Sequence, residues 1–177
     1  MKVRPASLLA AIVLAFAVGG CAGAPPASAS HAGHAAATAD AAADKLAEVA
    51  RVHGGAGPWA VAGYRMGEHA LAVLGLPRGS FDLEVVHHTP REVQYSCIAD
   101  GAAAATGASM GKLNLSLAEA APEATRTTYR RKSTGKTVTL RLTASFVARF
   151  TNVPRERLAA AGREVIALRD DEIFEEA

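Results

Sequence analysis

A chain of 177 residues is long enough for one domain of ordinary size and little more. Half of its residues are hydrophobic but only 5% are aromatic, so the core must be built from Leu, Val, Ile and Ala around anchors such as Trp59, Tyr64 and Phe81. The formal charge of +2 comes from Lys2 and Arg4; without them 17 basic residues face 17 acidic ones, and no general argument for nucleic acid as a partner remains.

Residues 1–20 read as an export signal. Lys2 and Arg4 form a positive start, and residues 7–18 are an uncharged apolar run too short for a stable membrane span. Val18, Gly19, Gly20 and Cys21 then resemble a bacterial lipobox, in which the cysteine is lipidated and becomes the mature N-terminus. The rival is plain secretion with cleavage after Ala27-Ser28-Ala29. Cys21 sits where the apolar run ends, so the expectation is a lipoprotein held to the membrane through Cys21 and facing the periplasm or cell exterior. Residues 21–43 are rich in Ala, Gly, Pro and Ser and read as a flexible tether, with His31 and His34 inside it. Residues 44–177 are expected to form a single domain.

Asp44 is a candidate N-cap for a helix through Val52, with Leu46, Val49 and Ala50 on one face. The glycine-rich residues 54–57 break it. Pro58 opens a second helix that runs through Leu74 and stops at Gly75. Apolar residues cover most of its circumference, so it is expected to be largely buried, with Gly63 and Gly67 leaving a flat spot for close approach. Residues 81–88 alternate as a strand, placing Phe81, Leu83, Val85 and His87 on one face and His88 on the other. Thr89-Pro90-Arg91-Glu92 has the form of a capping box for a helix through Thr106, stopped by Gly107. Two starts remain open: one puts Cys97 on a mid-helix stripe with Val93, Gly101 and Ala105, and the other starts at Ser96 with Cys97 in the first turn. Only the second gives a thiolate the help of the helix dipole.

Residues 112–117, 125–131 and 137–150 read as strands, with a hairpin turn at 133–136, and residues 154–168 as a closing helix. This order predicts an α+β domain with helices packed on one face of a mixed, mostly antiparallel sheet. Basic residues crowd residues 126–169, opposed only by Glu156 and Glu164, before the acidic tail of Asp170, Asp171, Glu172, Glu175 and Glu176. The expectation is a solvated face with the tail folded back over it, rather than an anion-binding patch.

The chemistry centres on residues 94–115. Cys97 is the only cysteine besides Cys21, and a lone thiol in an oxidising compartment is buried, metal-bound or reactive. Asp100, three residues on, either orients a histidine or bonds to backbone. Thr106, Ser109 and Lys112 form a candidate anion cradle where Gly107 and Gly111 expose backbone N–H groups; the competing reading is a helix stop and turn.

Two segments together resemble the FmdE family of formylmethanofuran dehydrogenase proteins. The first is HGGAGPWAVAGYRMG, residues 53–67, against a pattern H-G-H-x-C-P-G followed by a G-[YV]-R-x-G-like helix. The second runs from Cys97 to Leu115, against C-x-x-D-[AG], a small-residue helix and T-G-x-[TS]-x-G-K-x-N-L. The resemblance covers roughly residues 45–150 and implies a transition metal, typically zinc, held by His and Cys. His53 and Cys97 match that pattern, whereas its second His is Gly55 here and its Cys is Gly57. His87 and His88 are candidates to complete the metal set of His53, His87, His88 and Cys97. The cytoplasmic dehydrogenase complex itself is not an expected partner for an exported chain.

Three functions follow. The first is an exported, lipid-anchored domain binding a transition metal or small ligand near Cys97. The second is a thiol- or metal-dependent enzyme with Cys97 and Asp100 as catalytic candidates. The third is a ligandless scaffold that binds a protein partner or a second copy of itself.

Overall fold

The structure is a computed structural model and describes residues 29–177. The leader and Cys21 lie outside the described residues. The elements in chain order are α1 (Ala29–His53), α2 (Pro58–Leu74), β1 (Leu83–Thr89), α3 (Val93–Thr106), β2 (Leu115–Glu119), β3 (Arg126–Arg131), β4 (Thr137–Leu142), α4 (Ala144–Phe150), α5 (Leu158–Ala167), α6 (Asp170–Ile173) and β5 (Phe174–Glu176). The fold is α+β, as the element order predicts. Among the described residues no helix is long and apolar enough to cross a membrane.

The sheet runs β2-β1-β3-β4-β5. β1 and β2 are parallel, joined through α3, and the remaining pairs are antiparallel. Register places Val85 opposite Tyr129 and Tyr129 opposite Val138, with His87, Thr127 and Leu140 aligned in the next row. All six are buried, so these rows form the inner face on which the helices rest. The outer face carries the Glu84–Arg130 ion pair and the Thr128–Thr139 hydroxyl pair.

α2 has the expected bounds and is buried along most of its length. It crosses α3 with almost no side chain between the two backbones. A Cβ at Gly101 would land inside the shell of the Ala60 carbonyl oxygen, and one at Gly63 inside that of the Ile98 carbonyl. One turn further along, a Cβ at Gly67 would meet the Ala105 Cβ at 2.8 Å. The flat spot on α2 therefore meets a matching one on α3. Cys97, one turn before Gly101, is carried to the N-terminal end of α2.

Several local expectations are corrected. α1 begins at Ala29 rather than Asp44. Phe81 precedes β1 and is 68% exposed, with the Lys112 ammonium 5.2 Å from its ring centre. Thr89 caps no helix: it ends β1 opposite Glu119, and its hydroxyl donates to the Pro90 carbonyl. Glu92 is the N-cap of α3 instead, so Cys97 lies just past the first turn on the mid-helix stripe. The strand expected over residues 137–150 ends at Leu142. Thr143 accepts a hydrogen bond from the Phe146 N–H at 3.1 Å and starts α4, whose Phe146 and Phe150 are one turn apart and both buried. The acidic tail supplies a fifth strand on β4, sealed by the Arg141–Glu175 ion pair.

Gly101→Ala is expected to lower stability by about 1–3 kcal/mol, because overpacking outweighs the roughly 1 kcal/mol that alanine gains in a free helix. Gly55→Ala, with nothing within 4 Å of its added Cβ, is expected to stay within about 0.5 kcal/mol of the parent. Urea denaturation of both variants checks this, and a Gly101→Ala chain as stable as the parent would refute the close crossing.

Candidate functional site

His53 ends α1 and Asp100 lies on α3, so the packing of these helices brings the two together. His53 Nδ1 donates to Asp100 Oδ2 at 2.8 Å. In the neutral ring this places the proton on Nδ1 and leaves Nε2 with its lone pair, the arrangement of an oriented ligand or base. Cys97 and His53 line one cleft of about 510 Å³. Its floor is the loop at residues 54–57 with Pro58 and Trp59, and its far wall comes from Phe150, Val153, Arg155 and Leu158. Asp100 thus orients a histidine, one of its two expected roles.

Cys97 is 8% exposed and its thiol donates to the Gln94 carbonyl at 3.2 Å. Burial, then the negative charge of Asp100, push its pKa up to about 12, against a smaller opposing effect of its own backbone N–H. At neutral pH Cys97 is a protonated thiol and not a resting nucleophile. The indole N–H of Trp59 donates to the Phe150 carbonyl at 2.8 Å, which locks the ring against Tyr95 and Phe146.

A family model described as "FmdE, Molybdenum formylmethanofuran dehydrogenase operon" matches residues 52–175. The chain belongs to the FmdE family. No curated protein matches it.

The remaining candidates stand apart from the FmdE cleft. His87 is fully buried on the inner sheet face. Its Nε2 donates to the Tyr95 carbonyl at 3.1 Å, and its Nδ1 accepts from the Thr127 hydroxyl at 2.9 Å. Both nitrogens are spent on the fold. Burial above all, with a small contribution from His88, lowers the His87 pKa to about 4. His88 lies on the opposite face, where burial and the Arg126 charge hold it below the ordinary histidine range. Thr106 donates to the Ala102 carbonyl and accepts from the Ala108 N–H, and Ser109 accepts from the Lys112 N–H. Lys112 Nζ donates to the Gly107 carbonyl at 2.9 Å. These three close the end of α3 around Gly107, whose φ is +70°.

A closed zinc site needs four donors. Here His53 and Cys97 share the cleft, while Gly55 and Gly57 contribute no side chain. Among the described residues no three His, Cys, Asp or Glu side chains come close enough together to hold a metal ion. The donor set does not fit a closed zinc centre. The residues that complete the cleft, from Phe150 to Leu158, carry no sequence signal of chemistry; only the fold reveals them.

His87 gives the chain an acid limit. It is neutral in the folded state down to about pH 4, whereas the unfolded chain takes up its proton near pH 6.5. The unfolded state binds more protons between these values, so stability falls as pH drops from 6.5 to 4, by an amount on the order of 3 kcal/mol. His87→Gln is expected to be less stable at pH 7 but to show a flatter slope over this window. Equal slopes in urea titrations at pH 4, 5, 6 and 7 would exclude His87 as the cause.

Proposed function

We propose that the chain is an exported, lipid-anchored FmdE domain that binds a small ligand in the cleft beside Cys97. The observation that carries this reading is the convergence of Cys97 with a carboxylate-oriented His53 on a cleft whose other walls are largely apolar. The thiol and the His53 Nε2 offer two directional polar contacts, and Trp59, Val153 and Leu158 offer apolar area. Zinc or another transition metal enters this reading only together with donors that the ligand itself brings. The protonated state of Cys97 weighs against an enzyme that attacks through a resting thiolate.

Native mass spectrometry of the full chain, purified without chelator, tests the proposal. The expected result is an adduct of small-molecule mass, absent from Gly57→Phe, where the added ring fills the cleft. About one zinc per chain with no organic adduct, lost in Cys97→Ser, would replace this reading with metal binding. A bare chain, with no adduct in either protein, would overturn it.

The anchor has its own test. Cys21→Ser is expected to move the chain from the membrane to the soluble fraction on cell fractionation. An unchanged distribution would overturn lipidation at Cys21.

A further inference from the structure

A second cavity, of about 620 Å³, opens on the other side of Trp59, beside the start of β3, the end of β4 and helix α4. Its volume lies in the range of small-molecule sites. Trp59, Ile98, Leu142 and Val147 give it an apolar body. Thr125 and Arg126 add polar residues to its lining.

The charges at the mouth are unequal in their commitments. Arg141 is held by Glu175 at 2.8 Å. Arg126 donates to the Ala124 carbonyl and has no carboxylate within ion-pair distance among the described residues. Glu123 stands on the rim, exposed to solvent. The guanidinium of Arg126, with one N–H given to the Ala124 carbonyl, retains free N–H groups among the described residues. A planar fork with free N–H groups at the mouth of an apolar cavity suits a carboxylate.

We propose that this cavity binds a small amphipathic carboxylate, its apolar body against Trp59, Ile98, Leu142 and Val147 and its head at Arg126. The proposal does not depend on the role of the Cys97 cleft. It assigns a second site, separated from the first by one side chain.

The test uses octanoate as the probe and Trp59, the only tryptophan of the chain, as the reporter. Octanoate titrated into the purified full chain is expected to change Trp59 fluorescence saturably. Arg126→Gln is expected to raise the Kd about tenfold, as loss of one charge-assisted contact does. Octanol, with the same body and no carboxylate, is expected to bind correspondingly more weakly and to be insensitive to Arg126→Gln. Val147→Phe, which fills the cavity, is expected to abolish the change, while Gly57→Phe, in the Cys97 cleft, leaves the octanoate Kd unaltered. Thermal melts confirm that each variant is folded before titration. The proposal is overturned if the parent shows no saturable response, if octanol binds as tightly as octanoate, or if the response is lost in Gly57→Phe but kept in Arg126→Gln and Val147→Phe.

Discussion

The backbone contact between α2 and α3 sets the geometry on which everything else depends. Two helices separated by ordinary side chains lie 8–10 Å apart, but Gly63, Gly67 and Gly101 let these two touch main chain to main chain. The contact admits only one register along the helices, because the small residues must face one another. That register delivers Cys97 to the entrance of α2 and turns Asp100 toward the end of α1. The Cys97 cleft follows from the crossing. Gly162 repeats the device, bringing α5 against the Ala56 carbonyl and closing the cleft from the other side.

The ionisable groups nearest the core are held neutral, and the charged ones are sent outward. His87 and Cys97 are both buried, and burial moves each pKa toward its uncharged form. The outward charges cross between distant parts of the chain: Arg65 with Asp170, Arg131 with Asp82, Arg141 with Glu175. Within the basic run from Arg126 to Arg169 the acidic tail pairs Arg141 with Glu175 and Arg169 with Asp171, while Arg130 and Arg131 pair with Glu84 and Asp82. Such surface pairs each add little stability, and their role is to settle where the tail lies.

Much of this architecture is legible in the sequence where a local rule decides it. Pro58 and Gly75 bracket α2 because the first lacks an N–H that a helix start does not need and the second takes a left-handed turn with φ of +64°. Alternation places His87 inward. Local rules fail where two of them compete. Residues 144–150 continue an apolar alternation, but Thr143 caps a helix and the spacing of Phe146 and Phe150 suits it. The Thr89 to Glu92 pattern loses to sheet pairing, since Thr89 is worth more to the ladder beside β2. The site is legible only in its polar residues. Cys97, His53 and Asp100 announce themselves by type, whereas the walls from Phe150 to Leu158 are ordinary residues whose importance is a matter of position. The sequence also cannot say that both ring nitrogens of His87 are engaged, because Tyr95 and Thr127 reach it only through the folded sheet.

Trp59 forms a wall of both cavities, its ring fixed by one hydrogen bond to Phe150 and by edge contacts to Tyr95 and Phe146. A partition one side chain thick, pinned at three points, keeps the two spaces separate. The chain therefore holds two compartments apart with a single aromatic ring whose position the fold fixes.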